Sequence, residues 1–274
     1  MKENLLICPV CGGDLHKEEK SFFCDAARPH CFDISSSGHV NLCHGRATGG
    51  DSKDAVRSRT DFLSLDLYKP IADKLCERVV YFSPKSVIDA GCGEGYYTNA
   101  IAAALPDAEI YGFDLSKEAI ISASKQARRR GNKNALFCVG GIYDLPIKNA
   151  SADVITNIFA PCAEEEFSRI LRRGGVLLVV SAGSDHLMGL KRAVYESVYE
   201  NEPRADLPKR MELIDKIELK YDIELSDKKS ITDLFSMTPY SYRTSEKDYK
   251  KLLSLERLKT EVNVEISLYR KDDI

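Results

Sequence analysis

The sequence contains no run of about eighteen apolar residues, the length that a helix needs to cross a bilayer. It also lacks a basic excess. The net charge is −3, which gives no support to nucleic-acid binding by overall charge. The N-terminal segment MKENLLICPVCGG has neither a long apolar core nor a small-residue cleavage site, so it does not resemble a signal peptide. These absences predict a protein without a membrane span, located in the cytoplasm.

Nine cysteines are present, and in a reducing compartment they are expected to bind metal or pack in a core rather than form disulfides. The chain has 274 residues, enough for one large α/β domain with a smaller unit attached.

Five potential metal ligands lie close together near the N-terminus. Cys8 and Cys11 form a C-x-x-C pair followed by two glycines, a tight turn that lets two thiolates face one metal. Cys24 follows after a short hairpin-like segment, and His30 and Cys31 come next. Three thiolates with an imidazole or a fourth thiolate make a closed tetrahedral zinc site, which is structural rather than catalytic.

The fourth ligand stays open between His30 and Cys31, and Cys43 and His44 lie further on and could also reach the metal. We expect residues 1–44 to form a zinc-binding module. A region of this size cannot bury an adequate core, so a metal would stabilise it directly.

A second feature is the segment VIDAGCGEGYYT, which runs from an apolar β-type stretch through glycines into a helical pattern. Its G-x-G-x-G spacing differs from the dinucleotide fingerprint G-x-G-x-x-G. Acidic residues around the turn suit a ligand with a positive centre and an amino group, such as S-adenosylmethionine. The predicted cofactor-binding residues of this turn are Asp89, Gly91, Gly93, Glu94, Gly95 and Tyr96.

Asp114 ends the next predicted strand, about twenty residues after the glycines. A carboxylate in that place can accept hydrogen bonds from both ribose hydroxyls of a nucleoside. The pair of features resembles the class I methyltransferase pattern, with NAD binding as the competing interpretation.

Apolar runs alternating with helical stretches predict a doubly wound sheet. Residues 45–60 are polar and glycine-rich, which predicts a flexible linker or mobile lid, and residues 61–274 are assigned to the main domain. The last two strands, having no long helix between them, are expected to pair as an antiparallel edge. The predicted strands are 86–89, 109–114, 135–139, 154–159, 176–182, about 221–225, and 262–269.

In such sheets, ligands bind beyond the carboxyl ends of the strands. This rule adds Gly141 and Ile142 to the predicted cofactor contacts. It also selects the segment NIFAPC, where Phe159 either stacks on a flat substrate or packs the turn.

Several motifs together resemble the RlmA family, the 23S ribosomal RNA guanine-N1 methyltransferases that include a subgroup linked to tylosin resistance. The likeness spans nearly the whole chain. The motifs are CPVCGGDL, FFCDAARPHCFDISSSGHVNL, IDAGCGEGYYT, NIFAPCAEEE, HLMGLK and MTPYSYR.

The resemblance implies a class I, Rossmann-like α/β methyltransferase domain, with a mixed seven-stranded sheet, behind a small zinc domain that helps to recognise an RNA hairpin. It implies S-adenosylmethionine and structural zinc as cofactors, a 23S ribosomal RNA hairpin as partner, and allows a homodimer. The zinc ligands carried over from the family are Cys8, Cys11, Cys24 and His30, with Cys31 the alternative because the spacing before the histidine differs here.

Methyl transfer to guanine N1 requires a general base, because that nitrogen carries a proton. The sequence does not identify the base. Asp144 follows the third strand and either lies near the reacting nitrogen or contacts adenine or water, whereas Cys162 is a possible neighbour of the transferred methyl for which a buried cysteine is the favoured interpretation. Two other functions remain at this point: a small-molecule methyltransferase, and a non-catalytic RNA-binding protein with the same fold.

Overall fold

A computed structural model describes residues 5–43, 45 and 50–272 of the chain. The N-terminal part contains a three-stranded antiparallel sheet with strand order β1-β2-β3. A short fourth strand follows it. These elements are β1 (Leu15–Glu18), β2 (Ser21–Cys24), β3 (Cys31–Asp33) and β4 (Val40–Asn41).

The rest of the chain alternates helices with the strands of a mixed sheet. Its helices are α1 (Lys53–Leu63), α2 (Lys69–Tyr81), α3 (Tyr96–Ala104), α4 (Lys117–Arg130), α5 (Glu164–Ile170), α6 (Met188–Val194), α7 (Lys228–Ser236) and α8 (Glu246–Ser254). Its strands are β5 (Ser86–Ala90), β6 (Glu109–Asp114), β7 (Ala135–Val139), β8 (Ala152–Ile158), β9 (Leu171–Ala182), β10 (Glu212–Leu225) and β11 (Leu258–Arg270).

All seven predicted strands are present, in the order β10-β11-β9-β8-β5-β6-β7. Strands β5 to β9 run parallel, while β11 pairs antiparallel with β9 and with β10. On β5, Val87 and Ile88 point into different core clusters, so both faces of the sheet are covered. The predicted class I methyltransferase architecture is therefore confirmed.

The sheet has an eighth strand that the sequence did not predict. Val40 and Asn41 of β4 pair in parallel with Cys138 and Val139 of β7. The N-terminal residue Leu6 is fully buried in the same core cluster as Cys138. The zinc-binding region therefore packs against the main domain and adds a strand to its sheet, so the predicted boundary at residue 44 does not separate two independent cores.

The prediction of a flexible linker over residues 45–60 is wrong from residue 53 onward, because α1 begins there; residues 46–49 lie outside the described residues. The Ser52 side chain accepts a hydrogen bond from the Ala55 amide and caps the helix. Phe62 and Leu63 are buried at its other end, where α1 packs against α7.

The predicted antiparallel pairing of the last two strands is also confirmed. Their connection, however, contains two helices, α7 and α8, that are not among the predicted elements. A short 3-10 helix, Pro239–Tyr242, lies between those helices. Within the described residues, no helix is long and apolar enough to cross a membrane.

Strand order reverses at β5, which has β6 on one side and β8 on the other. Ligand sites in open α/β sheets lie at such a reversal, beyond the carboxyl ends of the strands. The glycine turn follows β5 directly, so the fold places it where a ligand would bind.

Candidate active site and metal centre

The turn after β5 has a backbone that requires glycine. Gly91, Gly93 and Gly95 have φ angles of +83°, +54° and +77°, in the left-handed region that other residues rarely adopt. A Cβ atom on Gly91 would lie 2.6 Å from the Ala160 Cβ, and one on Gly95 would lie 2.7 Å from the Ala123 Cβ. The turn is therefore packed too closely to accept side chains.

The turn opens into a cavity of about 930 Å³ at the carboxyl ends of the parallel strands. Most of the predicted cofactor residues line this cavity. Gly95, Tyr96 and Gly141 are not among its lining residues: Tyr96 packs in the core, and the next residue, Tyr97, faces the cavity instead. The predicted residues that do line it are Asp89, Gly91, Gly93, Glu94, Asp114 and Ile142.

Asp89 holds the turn in place. Its carboxylate accepts hydrogen bonds from the hydroxyls of Thr98 and Thr156, the latter at 2.8 Å. Burial raises the pKa of Asp89 to about 6. Since each carboxylate oxygen accepts a threonine hydroxyl and the side chain is buried, Asp89 fixes the wall of the cavity.

Asp114 lies across the turn from Asp89. Its Oδ2 accepts a hydrogen bond from the Gly93 amide at 3.0 Å, and its Oδ1 accepts one from the Ser116 amide at 2.7 Å. Burial raises the pKa of this carboxyl. A carboxylate oxygen has two lone pairs, so Asp114 can accept ribose hydroxyls in addition to these amides.

Glu94 contributes a buried charge next to a cation. The Arg59 Nη1 lies 2.5 Å from the Asp51 Oδ2 and 3.6 Å from the Glu94 Oε2. Burial raises the pKa of Glu94 to about 7. A guanidinium beside a buried carboxylate can bind a ligand that carries both charges, as a methionine moiety does: the guanidinium binds its carboxylate and the protein carboxylate binds its ammonium group.

Arg59 and Asp51 are cavity residues that sequence reasoning missed. They lie in the segment interpreted as a linker, and their place in the site depends on α1 packing against the domain. The basic pair Arg57 and Arg59 was visible in the sequence, but a solvated helix face explains such a pair equally well.

The cavity wall formed by the turn after β8 carries an aromatic ring. Phe159 has a φ of +51°, and its ring stacks on His186 with centroids 5.9 Å apart and planes inclined by 25°. Phe159 remains 43% exposed, while His186 is buried. A half-exposed ring at the cavity wall, backed by a second ring, can stack on a planar ligand.

Neither of the two residues that the sequence offered near the reacting nitrogen lines the cavity. Asp144 is exposed outside it. Cys162 is half-buried, and burial raises the pKa of its thiol to about 11, so it stays protonated. The structure does not support a role in proton removal for either residue.

Four of the predicted metal ligands converge at the other end of the molecule. The ligand atoms of Cys8, Cys11, Cys24 and His30 all lie within 4.8 Å of one another. The His30 Nδ1 is 3.4 Å from the Cys24 Sγ and 3.6 Å from the Cys8 Sγ, and the sulfurs of Cys11 and Cys24 are 3.6 Å apart. Such spacings fit a tetrahedral zinc with bonds of about 2.0–2.3 Å.

Local hydrogen bonding also prepares the cluster for a cation. The His30 amide donates to the Cys24 Sγ at 3.2 Å, and backbone amides lower the pKa of the Cys24 thiol to about 6. A thiolate is the form that binds zinc. The four side chains therefore match the structural zinc site that the sequence predicted.

The alternative ligands lie away from this cluster. Cys31 is exposed, and its thiol contacts Asp33 instead. Cys43 packs beside a separate core cluster. His44 lies outside the described residues. His30 is thus the fourth member of the group, as the resemblance implied.

Comparison with known proteins matches both the metal-binding region and the domain that holds the cavity. A family model for an RlmA N-terminal zinc ribbon matches residues 6–43, and a model for a methyltransferase domain matches residues 82–237. A putative 23S rRNA (guanine-N(1)-)-methyltransferase of Micromonospora griseorubida is 35% identical, with 68% of each chain covered. The chain belongs to the RlmA family.

Two further relatives with similar names agree with this assignment. The 23S rRNA (guanine(748)-N(1))-methyltransferase of Streptomyces fradiae is 32% identical over 71% of this chain and 70% of that protein. A putative 23S rRNA (guanine-N(1)-)-methyltransferase of Bacillus subtilis, YxjB, is 27% identical over 95% of this chain and 94% of its own length. The likeness therefore extends over the zinc region and the methyltransferase domain together.

Proposed function

We propose that this protein transfers the methyl group of S-adenosylmethionine to N1 of a guanine in 23S ribosomal RNA. The observation that carries the proposal is the presence, in one chain similar to guanine-N1 methyltransferases, of the RlmA zinc cluster and a cavity lined by both a glycine turn and an exposed aromatic ring.

The cofactor would bind at the glycine turn. Asp114 would accept the ribose hydroxyls, and Ile142 would contact the adenine from the turn after β7. Glu94 would receive the methionine ammonium group, and Arg59 the methionine carboxylate. When bound, the cofactor supplies an electrophilic methyl group, so the protein has mainly to position the acceptor.

The acceptor base would enter beside Phe159. Proteins that recognise single-stranded RNA often stack an unpaired base on an aromatic side chain. The ring of Phe159 is backed by His186, so it offers a fixed surface for a guanine that has left its stack.

The finer parts of this proposal concern the RNA and the assembly. We propose that the substrate is a hairpin loop, contacted by the zinc region, and that the enzyme works in the cytoplasm as a homodimer. Sedimentation of the free protein tests the dimer. Comparison of methylation of an isolated hairpin with full-length 23S RNA tests the hairpin.

The decisive experiment is methylation of unmodified 23S RNA with labelled S-adenosylmethionine. We expect 1-methylguanosine at a single position, found by nucleoside mass spectrometry and by reverse-transcriptase arrest, since a methyl on N1 blocks base pairing. Absence of the product, with a known methyltransferase active in parallel, would contradict the proposal. Labelling of a small metabolite in place of RNA would support the alternative activity. Expression in a tylosin-sensitive host would separately test resistance.

A further inference from the structure

A segment without helix or strand, residues 201–206, passes along the cavity between α6 and β10. Its first residue is firmly anchored. The Asn201 Nδ2 donates to the carbonyls of Gly183, Ser184 and His186 at 3.1, 3.1 and 2.8 Å. The Lys191 ammonium donates to the Asn201 Oδ1 at 2.6 Å. The start of the segment is thus fixed to the turn that follows β9.

The other end is anchored to the turn after β8. The Arg204 Nη2 donates to the Ala160 carbonyl at 2.6 Å and lies 3.2 Å from the Asn157 Oδ1. The Asp206 Oδ2 accepts a hydrogen bond from the Cys162 amide at 2.8 Å. These contacts bracket Phe159 in the chain, so the segment is held beside the proposed base-binding wall.

Between the anchors lies Glu202, an exposed residue that lines the cavity. Over the described ranges, its carboxylate forms no hydrogen bond or ion pair. The other cavity carboxylates contact protein groups: Asp51 pairs with Arg59, Asp89 with two threonines, Asp114 with two backbone amides, and Asp206 with Arg204. The buried Glu94 Oε2 accepts no hydrogen bond from the described residues but lies 3.6 Å from the Arg59 guanidinium, where the proposed function assigns it to the methionine ammonium group.

His186 is the other conventional base in the cavity, but its nitrogens are already assigned. Its Nδ1 accepts a hydrogen bond from the Asn263 amide at 3.2 Å, so the neutral ring carries its proton on Nε2, which faces the Tyr68 hydroxyl at 3.4 Å. A ring nitrogen whose lone pair already accepts a hydrogen bond from a backbone amide is not available to take a proton from the substrate. Burial lowers the pKa of His186 to about 4, in keeping with a neutral ring.

We infer that Glu202 is the general base that accepts the N1 proton of the target guanine, an inference that rests on the proposed function. As the N1–H bond breaks, its proton passes to the Glu202 carboxylate. The N1 electron pair forms the bond to the methyl carbon, and the carbon–sulfur pair leaves with sulfur. The products are 1-methylguanine, S-adenosylhomocysteine and a protonated Glu202.

The test compares Glu202→Gln with Glu200→Gln. Glu200 is an exposed residue two positions earlier that does not line the cavity, so its variant controls for loss of charge near the site. Under single-turnover conditions near pH 7, we expect E202Q to lower the methyl-transfer rate by about 10²- to 10⁴-fold, the usual contribution of a general base. S-adenosylmethionine affinity, measured by calorimetry, should stay within twofold of wild type in both variants.

The pH profile separates proton transfer from positioning. The wild-type rate should depend little on pH above neutrality, because the carboxylate itself takes the proton. The E202Q rate should instead keep rising about tenfold per pH unit above neutrality, because the guanine must then lose its proton to hydroxide.

A rate for E202Q within threefold of wild type would overturn the inference, as would a slow variant with an unchanged pH profile. If wild type gives no 1-methylguanosine at all, the proposed function fails instead. The two failures are therefore distinguishable.

Discussion

Asp114 is a single carboxyl group that binds two backbone amides and still faces the cavity. Replacing it with Asn keeps the size of the side chain but removes the negative charge. We expect Asp114→Asn to weaken S-adenosylmethionine binding by roughly 10- to 100-fold, because hydrogen bonds to a charged group contribute about 1.5–3 kcal/mol. Isothermal calorimetry measures this directly.

Asp144→Asn is the matched control, since Asp144 is exposed and does not line the cavity. Its affinity for the cofactor should equal that of wild type. Equal affinity of both variants for S-adenosylmethionine would contradict the assignment of Asp114 to the ribose site.

Among the elements, strands β1 to β3 adjoin the cysteine cluster: Cys24 ends β2, and Cys8, Cys11 and His30 lie in the neighbouring segments. We expect Cys11→Ser to lose most of its bound zinc, because three ligands no longer close the site. Amide hydrogen exchange over residues 14–34 should accelerate as the strands open. Metal analysis of the purified protein gives the zinc content.

Cys31→Ser provides the control for that experiment, because Cys31 is exposed and lies outside the cluster. It should retain one zinc per chain and wild-type exchange. Loss of zinc in C31S, with retention in a His30 variant, would reverse the ligand assignment.

The elements differ in how far the sequence predicts them. Apolar runs mark strands β5 to β9 in the sequence. Glycines mark the turn after β5, because its positive φ angles favour glycine. Helix α1 carries its large buried residues, Phe62 and Leu63, at one end and packs against α7, which is distant in sequence. Strand β4 has two residues, too few for any periodicity to show.

The candidate site likewise has some residues that the sequence pattern predicts and others that only tertiary contacts bring together. Tyr97 rather than Tyr96 faces the cavity, because a shift of one position turns a helix side chain by about 100°. Glu202 has no motif around it, and only the hydrogen bonds at Asn201 and Arg204 bring it to the cavity. Sequence patterns therefore located the cofactor turn and the metal cluster, whereas tertiary contacts determine the acceptor side.

For the whole molecule, buried Glu94 makes folding sensitive to pH. Burial raises the pKa of Glu94 to about 7 from its ordinary value of 4.5, so the folded state holds a proton that the unfolded state releases. Its contribution to stability is complete below about pH 4.5 and is lost as the pH rises through 7. We expect the free energy of unfolding of Glu94→Gln, relative to wild type, to increase steadily over that range.

Urea unfolding at intervals from pH 4.5 to 8 measures this difference, with Glu200→Gln as the control. The comparison between variants is needed because His186 acts in the opposite direction: burial lowers its pKa to about 4, which favours folding as the pH rises towards 6.5. A difference between E94Q and wild type that does not change with pH would contradict the assignment.

The short strand β4 has a consequence for the solubility of the protein. Strand β7 would otherwise end the sheet with a row of unpaired amides and carbonyls, a template on which another chain can add. The metal-binding region supplies Val40 and Asn41 to cover that row. A methyltransferase domain cut at residue 61 would therefore expose β7 to intermolecular pairing, and protecting it from aggregation is a task that the zinc region performs apart from any contact with RNA.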